Sequence, residues 1–398
     1  MIQSYLRPDG RKGIRNTVLV AYLVECAHHV AREIVYPYRD RGVNLIGFSG
    51  CYPNSHSHKM MQRLATHPNV GAVLLVSLGC EGFNKGGLLQ TVRESGRPAK
   101  LVVIQETGGT RKTIAEGQAW IEQTLAQLAL TARVPMQLGE LVVGTKCGGS
   151  DATSGLTANP AMGRAFDFLV EKGAACIFEE TGELIGMEHW MAQRAATPEL
   201  GREIINTVAK AARYYTAMGH ASFAPGNADG GLTTIEEKSL GAYAKSGQST
   251  ISGILKPGDH PIAGGLYLMD MIPDGDVRWG FPNINDNVEV AELIACGSHL
   301  VLFSTGRGSV VGSAISPIIK VCANPKTYKR MADDMDVDAG RILEGRASLD
   351  EVGREIYDLV LRVAGGQRTV SEALGHQEFQ ILYKSFEPLG PACFPSAA

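Results

Sequence analysis

An alternation constrains this chain more than anything else in it. Short, β-branched apolar runs take turns with longer segments of helical periodicity, and most runs end in a turn rich in Gly, Ser or Thr. In the first third, residues 17–24, 44–48, 70–78 and 101–105 read as strands, and residues 27–35, 56–65, 88–94 and 111–130 as helices. Continuous apolar runs of this length mark strands buried on both faces, which is the habit of parallel sheets crossed over by helices. A polar, Pro-bearing stretch follows at 131–137, and the pattern then restarts. Strands are expected at 140–145, 174–178 and 299–304. Helices are expected at 160–171 (opened by Asn159-Pro160), 200–218 and 349–364. The expected fold is α/β: two domains, 1–133 and 138–398, with mainly parallel Rossmann-like sheets and active-site loops at the carboxyl ends of the strands.

Composition narrows the class. Hydrophobic residues make up 44% of the chain and charged residues 20%, enough for a large core. Thirty-eight basic against 41 acidic residues give a net charge of -3, which excludes a nucleic-acid binder or a polybasic membrane-surface protein. No apolar run reaches the roughly 18 residues of a membrane span, and residues 1–16 hold no apolar signal core, so a cytoplasmic protein is expected. In that compartment the eight cysteines are reduced thiols.

Chemistry concentrates in the strand-exit loops. Six of them hold polar or charged residues: Ser49-Gly50-Cys51, Leu78-Gly79-Cys80-Glu81, Glu106-Thr107-Gly108-Gly109-Thr110, Lys146-Cys147-Gly148-Gly149-Ser150-Asp151, Glu179-Glu180-Thr181-Gly182-Glu183 and Ser304-Thr305-Gly306-Arg307-Gly308. With parallel strands these loops converge on one rim. Cys51, Cys80 and Cys147 either pack tight turns or act as soft metal ligands. Cys26, Cys176, Cys296, Cys322 and Cys393 lie in or beside apolar segments and read as filler. Glu179, Glu180 and Glu183, followed by Glu188 and His189, offer hard oxygen donors and an imidazole, or else an acidic helix start. The stretch 219–247 interleaves His220, Asn227, Asp229, Thr233, Thr234, Glu237, Lys238 and Lys245 with glycines and reads as an anion-binding loop. Arg307, flanked by glycines, offers a bidentate fork to a carboxylate or sulfonate. No Walker A or GxGxxG pattern occurs at these turns, so a nucleotide cofactor is not expected.

Taken together, the motifs resemble those of the altronate/galactarate dehydratase family of metal-dependent lyases. The resemblance rests on Arg7-Pro8-Asp9-Gly10-Arg11-Lys12-Gly13-Ile14-Arg15-Asn16, His67-Pro68-Asn69-Val70 and Leu78-Gly79-Cys80-Glu81. It continues through Cys147-Gly148-Gly149-Ser150-Asp151, Glu179-Glu180-Thr181, Pro225-Gly226-Asn227, Gly230-Gly231-Leu232-Thr233-Thr234, Glu237-Lys238-Ser239-Leu240-Gly241 and Ser304-Thr305-Gly306-Arg307-Gly308. The resemblance implies dependence on Fe2+, or on Mn2+ in its place, and β-elimination from a small anionic 2-hydroxy acid. Either sulfite leaves (2R)-3-sulfolactate to give pyruvate, or water leaves a sugar acid. A non-catalytic anion-binding subunit is the alternative of another class. The family's single-chain enzymes carry a small module before the Arg7-Pro8-Asp9-Gly10 motif, so a hetero-oligomer is expected in which a small alpha subunit supplies it. Within the implied site we assign Lys238, Glu179 and His220 as catalytic and Cys80, Cys147 and Cys51 as metal ligands. Arg307, Asn227, Thr233, Thr234, Ser150, Asp151 and Lys146 are assigned to the substrate. Lys238 is the base or the carboxylate anchor.

Overall fold

The structure, a computed structural model, describes residues 2–219, 222–275 and 285–384. The chain divides into two compact units, one built on Tyr5–Val134 and the other on Pro135–Pro273 together with the chain up to Glu378.

The first unit is built on a four-stranded sheet in the order Val43–Gly47, Thr17–Tyr22, Val70–Ser77, Ala99–Val103, with every neighbour parallel. All eight residues of Val70–Ser77 are buried, as its unbroken apolar run requires of a strand covered on both faces. Helix His28–Val35 and helix Thr110–Leu128 cover one face, where Val30, Ile34 and Ile121 meet Val18, Val20, Leu74 and Val76 in one core. Helix Ser55–Ala65 starts at a reciprocal cap: the Ser57 N–H donates to Asn54 Oδ1 at 2.9 Å and the Asn54 N–H to Ser57 Oγ at 2.9 Å.

The Arg7-Pro8-Asp9-Gly10 motif has a structural job in this unit. Arg7 is 3% exposed. Its guanidinium donates to the Pro68 carbonyl, to Asn16 Oδ1 and to the Arg15 carbonyl, each at 2.6 Å. Arg97 does the same from the other side, donating to Asp9 Oδ2 at 2.8 Å and to the Val70 carbonyl at 3.0 Å. The two arginines thus hold the Pro68 and Val70 carbonyls of the His67–Val70 turn, and a Cβ on Gly13 would lie 2.0 Å from the Pro68 oxygen. A charge-assisted hydrogen bond contributes about 1.5–3 kcal/mol, and each carbonyl left bare costs its desolvation. Arg7→Met is expected to destabilise this unit by about 3 kcal/mol or more, read as a lower urea midpoint with an unchanged slope; an unchanged midpoint would remove the motif from the stability of the fold.

The second unit carries seven parallel strands in the order Ile251–Leu255, Gly265–Met269, Ala175–Phe178, Val142–Cys147, Leu300–Thr305, Ile318–Cys322, Val337–Asp338. The α/β expectation holds. Four of these strands have no counterpart in the sequence reading: Ile251–Leu255, Gly265–Met269, Ile318–Cys322 and Val337–Asp338. They are two to five residues long, and what makes them strands is pairing with neighbours remote in the chain, which a local pattern does not report. Helix Ile235–Ala244 lies within the stretch read as a loop. Its start was nonetheless written in the chain, because Thr234 and Glu237 form a capping box. The stretch read as a connector at 131–137 contains the short strand Arg133–Met136.

Val142–Cys147 comes first in this unit's chain order and sits mid-sheet. The chain fills one side of it, laying the edge strand Ile251–Leu255 before Gly265–Met269, and then returns to place Leu300–Thr305 on the other. The order therefore reverses between these two strands, and their carboxyl ends frame the crevice where open α/β sheets bind ligands. Among the described residues no helix is long and apolar enough to cross a membrane.

Candidate active site

The second unit's switch point holds a buried set of opposite charges. Lys146 and Cys147 end strand Val142–Cys147, and Glu179 and Glu180 follow strand Ala175–Phe178 directly. Glu180 has φ +80° and is the one non-glycine residue with positive φ among the described residues. Such strain persists only where the surroundings over-determine it, and it aims the Glu180 carboxylate back at the neighbouring strand end.

Lys146 is enclosed by carboxylates. Its Nζ lies 2.7 Å from Glu180 Oε1, 3.5 Å from Glu179 Oε1 and 3.5 Å from Asp286 Oδ1, and it is in contact with Glu289 Oε2. Burial alone would lower its pKa, but Glu179, Glu289, Asp286 and Glu183 outweigh burial and hold it well above the usual ammonium value. Lys245, itself buried, is in contact with Glu180 Oε2. Glu179 is 1% exposed, and neither of its oxygens has a hydrogen-bond partner among the described residues. Burial, and then the charge of Glu289, push the Glu179 carboxyl well above its usual range.

Cys147 sits where two of these networks meet. It is 2% exposed. Its Sγ is 3.0 Å from Glu180 Oε1 and 3.5 Å from Glu183 Oε2, and it accepts from Lys238 Nζ at 3.1 Å. Lys238 also donates to Ser150 Oγ at 3.0 Å and pairs with Glu183 Oε2 at 2.7 Å. An ammonium has three N–H donors, and all three are taken. Against the lowering effect of burial, Cys147 and Glu183 raise the Lys238 pKa.

A cation fits this donor set. One ligand atom each from Cys147, Glu180 and Glu183 lie within 4.8 Å of one another, and so do those of Glu179, Glu180 and Glu289. Three ammonium groups face five carboxylates, so the cluster carries excess negative charge even before the thiol ionises. Lys146 sits within the Glu179–Glu180–Glu289 group, and Lys238 lies against Cys147 and Glu183 of the other. The Cys147–Glu180–Glu183 group, with a thiolate and two carboxylates, has the mixed donors of a divalent transition metal.

The other expected residues take varied places. Asp151 is buried and holds the loop: Oδ1 accepts from the Thr153 N–H at 2.9 Å, and Oδ2 accepts from Asn324 Nδ2 at 2.8 Å. A Cβ on Gly306 would lie 2.1 Å from Asp151 Oδ1, so a side chain there would displace the Asp151 carboxylate. Arg307 donates to the Gly226 carbonyl and lies 3.9 Å from Asp229 Oδ2, which ties the Ser304–Gly308 turn to the short helix Pro225–Asp229 that buries Asn227. Thr233 and Thr234 cap helix Ile235–Ala244: the Thr233 N–H donates to Glu237 Oε2 at 2.8 Å, and Thr234 Oγ1 accepts from the Glu237 N–H at 3.3 Å. Cys51 and Cys80 are exposed and belong to the first unit. His220 lies outside the described residues. Sequence reasoning missed Glu289 and Asp286, on helix Asp286–Ala295. The one signal was a buried acid inside an otherwise apolar helix, repeated at Glu292.

Comparison with known proteins shows the family of this chain. Residues 138–386 match the D-galactarate/altronate dehydratase C-terminal family model, and residues 4–129 match the D-galactarate dehydratase/altronate hydrolase second-domain model. The chain belongs to the D-galactarate/altronate dehydratase family. It is 34% identical to the (2R)-sulfolactate sulfo-lyase subunit beta of Chromohalobacter salexigens, over 96% of this chain and 97% of that one. It is 29% identical to the altronate dehydratase of Escherichia coli, over 96% of this chain and 77% of the relative. With the galactarate dehydratase (L-threo-forming) of Escherichia coli it shares 33% identity over 80% of this chain and 61% of the relative. These relatives are lyases and dehydratases, and this dehydratase-family chain is an enzyme of the same kind.

Proposed function

We propose that this dehydratase-family chain is the large subunit of a metal-dependent lyase. It eliminates sulfite from (2R)-3-sulfolactate to give pyruvate. The observation that carries the elimination reading is the buried Cys147–Glu180–Glu183 donor set with the Lys238 ammonium against it, at the switch point of the large sheet. Sulfolactate is favoured as substrate by the full-length likeness to the sulfo-lyase beta subunit.

Cys147 and Glu180 would hold the ion from the buried side. Fe2+, or Mn2+ in its place, suits the thiolate–carboxylate mixture. When bound, such an ion acts as a Lewis acid on the carboxylate and hydroxyl oxygens of a 2-hydroxy acid and makes the C2–H bond easier to ionise. The chain's own residues do the rest. Glu183, at 14% side-chain exposure, is open to solvent where Glu179 and Glu180 are not, and it accepts the proton from C2. Lys238 donates to Glu183 and holds the carboxyl in place, and the proton stays on Glu183, from which it is returned to C3. The electron pair moves to C2–C3, the C3–S bond breaks with its pair on sulfur, and sulfite leaves. The resulting enol takes a proton at C3 and becomes pyruvate. Sulfite is a weakly basic leaving group, so it needs cationic and N–H contacts more than an acid; Lys238 and Arg307 supply the cations.

A partner is part of the proposal. The relative's designation as subunit beta supports an assembly with a small alpha subunit, in an oligomer. The need for a reduced Cys147 thiol suits the cytoplasm. The second reading is a sugar-acid dehydratase, favoured by the altronate and galactarate relatives. The test is a coupled assay on the chain purified with its partner and loaded with Fe2+. Sulfite and pyruvate in equal amounts from sulfolactate support the proposal. A 2-keto-3-deoxy sugar acid from altronate or galactarate, with no sulfite, overturns it. Cys147→Ser is expected to lower bound iron at least about tenfold, as loss of a thiolate ligand does; unchanged iron by elemental analysis would exclude the thiol as a ligand.

A further inference from the structure

Cys26 was read as apolar filler, yet the structure exposes it. The other two exposed cysteines among the described residues, Cys51 and Cys80, stand in the same unit. Each of the three follows a different strand of the four-stranded sheet, and those three strands are adjacent. Cys51 follows Val43–Gly47, Cys26 follows Thr17–Tyr22 and Cys80 follows Val70–Ser77. The order of this sheet also reverses, between Thr17–Tyr22 and Val70–Ser77, so Cys26 and Cys80 flank its switch point. The loop from the edge strand crosses to join them. The Glu25 N–H donates to the Ser49 carbonyl at 3.3 Å, and the Gly82 N–H donates to the Cys51 carbonyl at 2.8 Å. One backbone span thus bridges the residue before Cys26 and the residues just past Cys80, with Cys51 on it. Lys85 Nζ, donating to the Gly79 carbonyl at 3.2 Å, adds a cation beside Cys80.

Three solvent-facing thiols at one switch point are a soft ligand set. A single ion bound at about 2.3 Å from each sulfur draws its thiolates to roughly 4 Å from one another. Among the described residues of this unit no three such donors lie within 4.8 Å. A polynuclear cluster spreads its iron corners, and so its thiolates, farther apart. We propose that Cys26, Cys51 and Cys80 ligate an iron–sulfur cluster of the [4Fe–4S] kind, with three irons held by thiolates and one left open. This centre uses none of the Cys147–Glu180–Glu183 donors and stands whether or not the substrate is sulfolactate.

The test is anaerobic reconstitution of the full chain with ferrous and ferric iron and sulfide, followed by desalting. The wild-type chain is expected to retain about four acid-labile sulfide ions per chain and about five iron, four of them in the cluster and one at the Cys147 site, with a broad visible charge-transfer band. Cys26→Ser, Cys51→Ser and Cys80→Ser, made singly on exposed loops, are expected to lose most of the labile sulfide while keeping the wild-type thermal midpoint. Iron retained without sulfide overturns the proposal, as does equal sulfide in the three variants and the wild type. Neither result touches the lyase reading, which is decided by sulfite release with iron alone.

Discussion

Replacing Lys238 by Met is expected to lower kcat by about 10²–10⁴-fold, the range of a lost proton-transfer or charge-stabilising group. The side chain is nearly isosteric, so packing against Ser150 and Cys147 survives and only the charge goes. What vanishes is the ammonium that binds Glu183 at 2.7 Å, Ser150 at 3.0 Å and the Cys147 sulfur at 3.1 Å. If Lys238 acts on the transition state, KM changes little while kcat collapses; if it only anchors the substrate, the loss falls on KM. Near-normal kcat and KM in a folded variant would remove Lys238 from the mechanism. Circular dichroism and the thermal midpoint show whether the fold has held.

Lys146→Met is expected to act on stability, with a loss of about 3–5 kcal/mol. Lys146 faces Glu179, Glu180, Glu289 and Asp286, and without it buried carboxylates stand with too few counter-charges. The pH dependence carries a definite sign. Burial and Glu289 raise the folded-state pKa of Glu179 above its ordinary 4.5. As pH rises past that ordinary value the unfolded chain releases its proton first, so folding must take a proton up. Stability therefore falls with rising pH, from about 4.5 up to the raised folded value. Removing the Lys146 cation raises Glu179 further and widens that window. The urea midpoint of Lys146→Met should recover on going from about pH 8 to about pH 5, more than that of the wild type. Equal midpoints for variant and wild type at both pH values would show that the cage contributes nothing to stability.

The sheets were legible where apolar runs were long. Val70–Ser77 and Leu300–Thr305 are buried throughout, and their β-branched residues leave no other reading. The helices expected at 349–364 and 56–65 declared themselves by period, and the structure adds their caps, Ser348 and Asn54. Strands such as Gly265–Met269 stayed hidden because what makes them strands is pairing with neighbours far away in the chain.

The candidate site divides along the same line. Local composition alone marks the 146–151, 179–183 and 304–308 turns as polar loops after strands, and that much needs no third dimension. Which residues share a charge network is a different matter. Thr233 and Thr234, promising as substrate ligands in a polar stretch, turn their hydrogen bonds to Glu237 of their own helix. Glu289 joins Lys146 across more than a hundred residues of chain, and the left-handed backbone of Glu180 turns one carboxylate toward Lys146, Lys245 and Cys147 at once. Sequence determines the elements because periodicity and capping act over a few residues. Only the folded chain decides the charge partners, because burial and Coulomb attraction depend on distance in space, and strand order sets that distance.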